Sequence, residues 1–435
     1  MKKSLSIMLF LCILLTVFVA PIAPAKATII WTNQTQLHFD PTVVEEYWEP
    51  YEKKYVNVTF TIPDFDGVPS LAGVRNGTQL TVWCVWESDG TGYNNIFYEV
   101  YDGVWKNETL TQLTFGNNDE TAPSITQSTD GKIWVVWSSN RTGNYNLFYK
   151  TSSNAGRTWS AEIQLTSYGS DDKAPAVMQA GDGKIWFVWS RKMNATNDDI
   201  FYKTFDGSNW SSEIRLTTYI GFGDYPGFDR QPAIMQANDG KIWIFWTRFM
   251  SGTQDWEILA NVFNGVSWSG ERNLTNDSQK MDTDPTVFQA EDSTIWLYYT
   301  LRDKSVNAQD DVYYKTSIDN GVSWSASFQF TKNNDDDLWP SAIQSQDRMI
   351  WVVWTTTMSG NADIYYQVSF LGDINNDGSI DILDLTMIAR ALGTDPTWPH
   401  GTGWDMWNPL CDLNADNRVN GYDLAIAGKN YGQHT

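Results

Sequence analysis

The chain has 435 residues, of which 42% are hydrophobic, 14% aromatic and only 19% charged, a composition that excludes wholesale disorder and provides for a large buried core. Its 52 acidic against 30 basic side chains give a net charge of -22. That charge repels a phosphate backbone, so no nucleic-acid partner is expected, and it suits calcium.

Lys2 and Lys3 precede an apolar run from Leu5 to Ala20, and Ala25-Lys26-Ala27 has the small-x-small form of a signal-peptidase site. Residues 1–27 are therefore expected to be a signal peptide and the protein to be secreted. The run falls short of a bilayer span and no later segment approaches one, so no membrane span is expected. After cleavage only Cys84 and Cys411 remain, too few for a disulfide framework.

A single unit then repeats six times. Its marker is an apolar strand whose first Trp falls at Trp83, Trp134, Trp186, Trp243, Trp296 and Trp351. A Pro opens each copy (Pro69, Pro123, Pro175, Pro232, Pro285, Pro340), and a polar turn such as Asp130-Gly131-Lys132 usually precedes the Trp strand. A second alternating run, such as Leu147-Phe148-Tyr149, leads on to a turn, a Trp and a Leu-Thr pair. Four short strands per unit predict a mainly β fold, a six-bladed β-propeller over residues 28–370. The sixth unit ends at Phe370 without its own Trp and Leu, whereas Trp31 and Leu37 near the start have the spacing found elsewhere. The N-terminal strand is thus expected to complete blade six and hide its edges. Residues 41–66 fit no repeat and form an insertion. Most Trp residues fill the wedges between blades; Trp48, Trp256, Trp339, Trp398, Trp404 and Trp407 lie off the pattern and are the better ligand candidates.

Ser317-Ile318-Asp319-Asn320-Gly321-Val322-Ser323-Trp324 resembles the Asp-box of sialidase-like propellers, and Ser152 to Trp159 is a near match. The Thr-rich connections are also similar to the TolB-type propeller repeat. The box implies fold, not activity. A sialidase would need an arginine cluster, a Tyr nucleophile with a Glu, and an Asp acid/base. Arg191, Arg248 and Arg302 follow successive Trp strands, and with Arg230 they are the candidate ligand-binding residues for an anionic sugar. The competing reading pairs them with nearby acidic connections such as Asp171-Asp172. No Tyr/Glu pair can be assigned, and the catalytic residues are unknown.

Asp373, Asn375, Asp377 and Asp384 stand at positions 1, 3, 5 and 12 of a calcium loop, with Gly378 at 6 and the Ser379 carbonyl at 7. Asp412, Asn414, Asp416 and Asp423 repeat the pattern, with the Arg418 carbonyl at 7 and Asn417 replacing the glycine. Two such loops, each followed by a helix and closing on Asp, resemble a type I dockerin over residues 371–435. The resemblance implies two Ca2+ ions, calcium-dependent folding, and docking onto a cohesin-domain protein through Ile382, Leu383, Gly421 and Tyr422. The expected function is recognition of extracellular polysaccharide or glycoprotein glycans by a dockerin-borne propeller. A sialidase-like glycoside hydrolase and a non-catalytic interaction platform at the cell surface are the rival readings.

Overall fold

The computed structural model describes residues 66–370 apart from 78, 90–91, 104, 106–110, 222–225, 306–307, 346–348 and 359. It also describes 380–394, 411, 413, 418–429 and 431, and the backbone of 30–31, 35–36, 45–49 and 54–58. The expected signal peptide lies outside the described residues. The chain divides into two compact units, 31–371 and a C-terminal one from 372.

The first unit is mainly β, and its strands follow the sequence repeat. The inner strands are Asp66–Asn76, Glu120–Gln127, Asp172–Gln179, Gly227–Gln236, Lys280–Gln289 and Asp337–Gln344. Each pairs antiparallel with its Trp strand (Ile133–Ser139 in the second repeat), which pairs with a third strand (Asn146–Ser152) and then a two-residue outer strand (Ile163–Gln164). Near the start, Thr35 and Gln36 pair with Tyr366 and Tyr365 of the last third strand. Glu45–Glu49 and Lys54–Val58 form a hairpin in the stretch that fits no repeat.

The Trp strands read as continuous apolar runs because both of their faces are covered, and the core accordingly lies between successive repeats. The second Trp of the pair is fully buried at Trp86, Trp137, Trp189, Trp246 and Trp354. The first reaches the neighbouring repeat: Trp83 stacks on Tyr98 and meets Trp159 of the next copy edge-on. One apolar cluster joins Trp351, Val353 and Ile364 of the last repeat to Leu71, Trp86 and Trp105 of the first.

Polar staples reinforce this packing. Gln127, Gln179, Gln236 and Gln289, each at the end of an inner strand, accept from a backbone N–H of the preceding repeat at 2.5–2.7 Å. Ser70 and Ser124 accept from Ile125 and Val177 of the following inner strand, and Ser341 likewise accepts from Leu71 at 3.0 Å.

Two turns show why glycine is needed. In the turn after the fifth third strand, Asp319 accepts from Ser323 N at 2.9 Å and Gly321 N donates to Ser317 Oγ at 2.8 Å. Gly321 has φ +79, and a Cβ there would lie 2.3 Å from the Trp243 ring; Gly156 has φ +74 and would meet Trp83 at 2.2 Å.

Candidate functional site

The inner strands begin, the Trp strands end and the outer connections arrive at the same end of the first unit, and most of its buried charge collects there. Each inner strand carries an acid three residues before its Pro: Asp66, Glu120, Asp172, Asp229, Asp282 and Asp337, all buried. In five repeats that carboxylate accepts from the second Trp; Trp189, Trp246 and Trp354 donate at 3.0–3.1 Å, Trp86 at 3.2 Å, and Trp137 also bonds Glu120. The paired Thr is buried for a matching reason, since Thr166, Thr217 and Thr275 each accept from a third-strand N–H at 2.9–3.0 Å. The acid three residues ahead of each Pro is a sequence signal as regular as the Trp pair, and reading the Pro alone misses it.

This network absorbs the arginines. Arg191 donates to both oxygens of Asp172 at 2.6 and 2.8 Å and pairs with Glu213 at 2.8 Å. Arg248 repeats the arrangement one copy later with Asp229 and Glu271. Arg230 pairs with Asp198 and lies over the Phe228 ring, and Arg302 is 3.5 Å from Asp310. Arg302 stands one residue out of register with Arg191 and Arg248, counted from the strand's second aromatic, and it is half-exposed. All four therefore have carboxylate partners, so the uncompensated positive charge on which an anionic-sugar site would depend is missing from them.

The fifth repeat departs from the pattern. Tyr299 replaces the second Trp and donates to Ser327 at 2.7 Å, leaving Asp282 Oδ1 buried with no hydrogen-bond partner. Burial pushes the Asp282 carboxyl up to about 7, against the opposing pull of a hydrogen bond from Thr275 and of the Lys280 and Lys315 charges. Glu257 is likewise raised to about 7, by burial and by the adjacent Asp282 and Asp255.

Residues of all six inner strands line one cavity of ≈ 380 Å³. At its rim the residue before each Pro bulges into the left-handed region: Val68, Ala122, Ala174, Gln231, Asp284 and Trp339, with φ between 49° and 54°. All six of these residues line the cavity, and the set they form is lopsided. Three are small and apolar; the other three, from consecutive repeats, are an amide, a carboxyl and an indole. Gln231 donates to Asp284, which also accepts from Thr283 at 2.7 Å. Burial raises Asp284 to about 6. Of the off-pattern Trp residues, Trp339 thus lines the cavity, and Trp256 packs edge-on to Phe249 and parallel to Phe228. The side chain of Trp48, and Trp398, Trp404 and Trp407, lie outside the described residues.

The connections at this end also expose aromatics. Phe115 is 71% exposed, and Tyr93 and Tyr168 are nearly half exposed. Tyr168 lies flat under the Arg191 guanidinium, 4.2 Å away, and Tyr145 under Lys173.

In the second unit, helix α1 (Ile382–Ala391) and helix α2 (Gly421–Lys429) begin with the same geometry. Asp384 is fully buried and accepts from Asp381 N at 2.9 Å, while Asp381 accepts from Leu383 N at 2.7 Å. Asp423, also fully buried, accepts from Asn420 N at 2.8 Å, and Asn420 from Tyr422 N at 2.8 Å. Gly393 N donates to Val419 O at 2.7 Å and Val419 N to Thr394 O at 3.0 Å, tying the two halves together. Asp373, Asn375, Asp377, Ser379, Asp412, Asn414 and Asp416 lie outside the described residues, as does Asn417. Of the position-7 residues Arg418 is described and is exposed. A buried carboxylate closing each of two oxygen-rich loops is the donor set a hard cation prefers, so these residues fit calcium. Ile382, Leu383, Gly421 and Tyr422 are all exposed, Tyr422 by 75%.

Residues 371–430 match the dockerin type I domain, and the C-terminal segment is a dockerin of that type, a calcium-binding class. No curated protein matches the chain. Among solved structures, a protein of unknown function from Dyadobacter fermentans superposes with a TM-score of 0.57 at 11% identity, over 71% of this chain and 96% of that one. A Hadza microbial sialidase gives 0.53 at 14% identity, over 72% and 67%. The GH93 alpha-L-arabinofuranosidase of Fusarium graminearum, solved with arabinobiose, gives 0.55 at 14% identity, over 71% and 94%. At such identities the likeness is one of fold: a sialidase-like propeller followed by a dockerin.

Proposed function

We propose that this protein is an exported glycan-recognition module, a six-bladed propeller delivered to its site by calcium-dependent docking of residues 371–435 onto a cohesin. Closure into six blades is supported by Ser341, which takes the Leu71 N–H from across the join just as Ser124 takes that of Val177. The strand at Thr35–Gln36 supplies blade six with its outer edge. Two ions, one per loop, follow from the matched settings of Asp384 and Asp423.

The observation that carries glycan recognition is the set of exposed aromatics at the strand-entry end, Tyr93, Phe115 and Tyr168. Aromatic faces stack on the C–H faces of sugars, and the connections that carry them are the segments free to vary on a rigid ring. Binding is favoured over hydrolysis because the route through paired carboxylates needs two acids on one cavity, and Asp284 is the one charged side chain among the cavity's described lining residues. The arginine route to a sialidase is not supported either, since Arg191, Arg230, Arg248 and Arg302 are already paired. A glycan array with a hydrolysis readout tests the reading: retention without turnover, weakened by Phe115→Ala and Tyr168→Ala, is expected, and turnover would promote the hydrolase reading.

A further inference from the structure

Three neighbouring rim positions carry chemistry that the other three lack. Ala122 and Ala174 show that the left-handed bulge before Pro needs nothing larger than a methyl group, and their φ of 50° matches that of Trp339 at 52°. A bulky residue is disfavoured in this region, so the indole at 339 brings a backbone cost with no requirement from the bulge itself. Beside it, Asp284 and Gln231 present a carboxyl and an amide that are hydrogen-bonded to each other and placed on the same cavity. An aromatic plate flanked by an acceptor and an amide is a pairing suited to a sugar ring, whose C–H face is apolar and whose edge bears hydroxyl donors.

The charge of the cavity narrows the class. Its described lining includes no lysine or arginine, and its one ionisable group is an acid. An anionic sugar brought there would meet a carboxylate with no cation to offset it, whereas a hydroxyl can donate to it. The cavity, at ≈ 380 Å³, is near the lower end for ligand clefts and suits a short terminus more than a chain passing through.

We infer that the rim formed by Gln231, Asp284 and Trp339 is a subsite for a neutral glycosyl terminus, with Trp339 stacking on the ring and Asp284 and Gln231 bonding its hydroxyls. This subsite rests on the glycan-recognition reading and gives it a location and a substrate class. Calorimetry of the full chain in calcium tests it, with cello-, xylo- and arabino-configured trisaccharides against their uronic-acid counterparts. Neutral trisaccharides should bind better than the uronates, and Trp339→Ala and Asp284→Ala should each weaken them at least tenfold. Both variants should fold, because alanine already occupies the equivalent position twice; an unchanged near-ultraviolet tryptophan signal checks this, and Gln231→Ala is a third, milder variant. Asp284→Asn should reduce the discrimination against uronates. Neutral binding undiminished in the rim variants but lost in Tyr168→Ala would overturn the subsite and leave glycan recognition standing. Preference for uronates would also overturn it, and no binding of any glycan would remove both.

Discussion

Trp246 donates its indole N–H to Asp229 across 3.0 Å, and the same carboxylate takes two hydrogen bonds from Arg248 at 2.6 and 2.8 Å. All three side chains are buried, and the acid comes from the inner strand while its two donors come from the strand beside it. The pairing therefore fixes the register of the sheet at its charged end, and the desolvated acid is held by directed donors rather than by water.

Removing the acid should be far worse than removing the indole. Asp229→Ala leaves Arg248 buried with only Glu271 to offset it, and a loss of about 3–5 kcal/mol is expected. Trp246→Phe keeps most of the packing and forfeits one hydrogen bond plus some volume, for about 1–3 kcal/mol. Denaturant melts of the two variants check the order, and a larger loss for Trp246→Phe would contradict it.

The turn glycines divide into two groups. Gly156→Ala and Gly321→Ala combine a left-handed φ with a Cβ driven into the Trp83 and Trp243 rings, whereas Gly265 has φ +93 and open space around it. Gly265→Ala should cost about 1 kcal/mol, and the other two at least about 2 kcal/mol more through overpacking. Thermal melts of the three variants under one condition decide this.

Acidification should stabilise the first unit. Burial raises Asp282 and Glu257 to about 7 and Asp284 to about 6, above their ordinary values of 3.8 and 4.5. The folded protein then holds protons that the unfolded chain releases, so this contribution is greatest below about pH 4 and is lost as pH rises through 6 to 7. A melt followed by tryptophan signal in excess calcium should give a higher Tm near pH 5.5 than at pH 8. Asp282→Asn should remove part of that difference by stabilising the protein at pH 8, by up to about 4 kcal/mol for a rise from 3.8 to about 7 at about 1.4 kcal/mol per pKa unit. An unchanged pH dependence in Asp282→Asn would show that this acid is not its source.

The repeat was legible because both faces of the Trp strands are buried, and a buried strand writes itself as an apolar run. The arginines were legible in part: Asp172, in the acidic connections read as their rival partners, does hold Arg191, whereas Glu213 for Arg191 and Glu271 for Arg248 come from other connections, and the spacing of like residues says nothing about who faces them. The rim was hidden for another reason. Gln231, Asp284 and Trp339 look unrelated until the bulge before each Pro shows them to be one position, and a left-handed φ at a non-glycine residue leaves little trace in sequence. Trp339 could still be singled out, because it broke the Trp rhythm.

Calcium should bind with a stoichiometry of two. Asp384 and Asp423 close their loops from equivalent, fully buried positions, each already fixed by a backbone N–H three residues earlier. Calorimetry on the full chain should find two ions, and Asp384→Ala and Asp423→Ala should each remove one and abolish cohesin capture, as should a chelator. A single ion lost in both variants alike would mean one shared site.

Deleting residues 29–39 addresses closure of the ring. Thr35 and Gln36 pair with Tyr366 and Tyr365, on a strand whose other edge is already occupied by the last Trp strand. Without them that strand becomes an edge, with unpaired backbone groups and Tyr366 left to pack on one side against Trp351 and Trp105. The loss falls at the join between the last and first repeats, where Leu71, Trp86 and Trp105 share a core with Trp351 and Ile364. In the closed ring proposed above, unlike an open array, loosening one join relaxes every other contact around the circuit. The deletion should therefore lower the Tm of the whole first unit by several degrees as one transition, with a rise in concentration-dependent association through the new edge. A melt unchanged in both midpoint and concentration dependence would show that the join holds without the N-terminal strand, and that Ser341 and the shared apolar cluster close the ring by themselves.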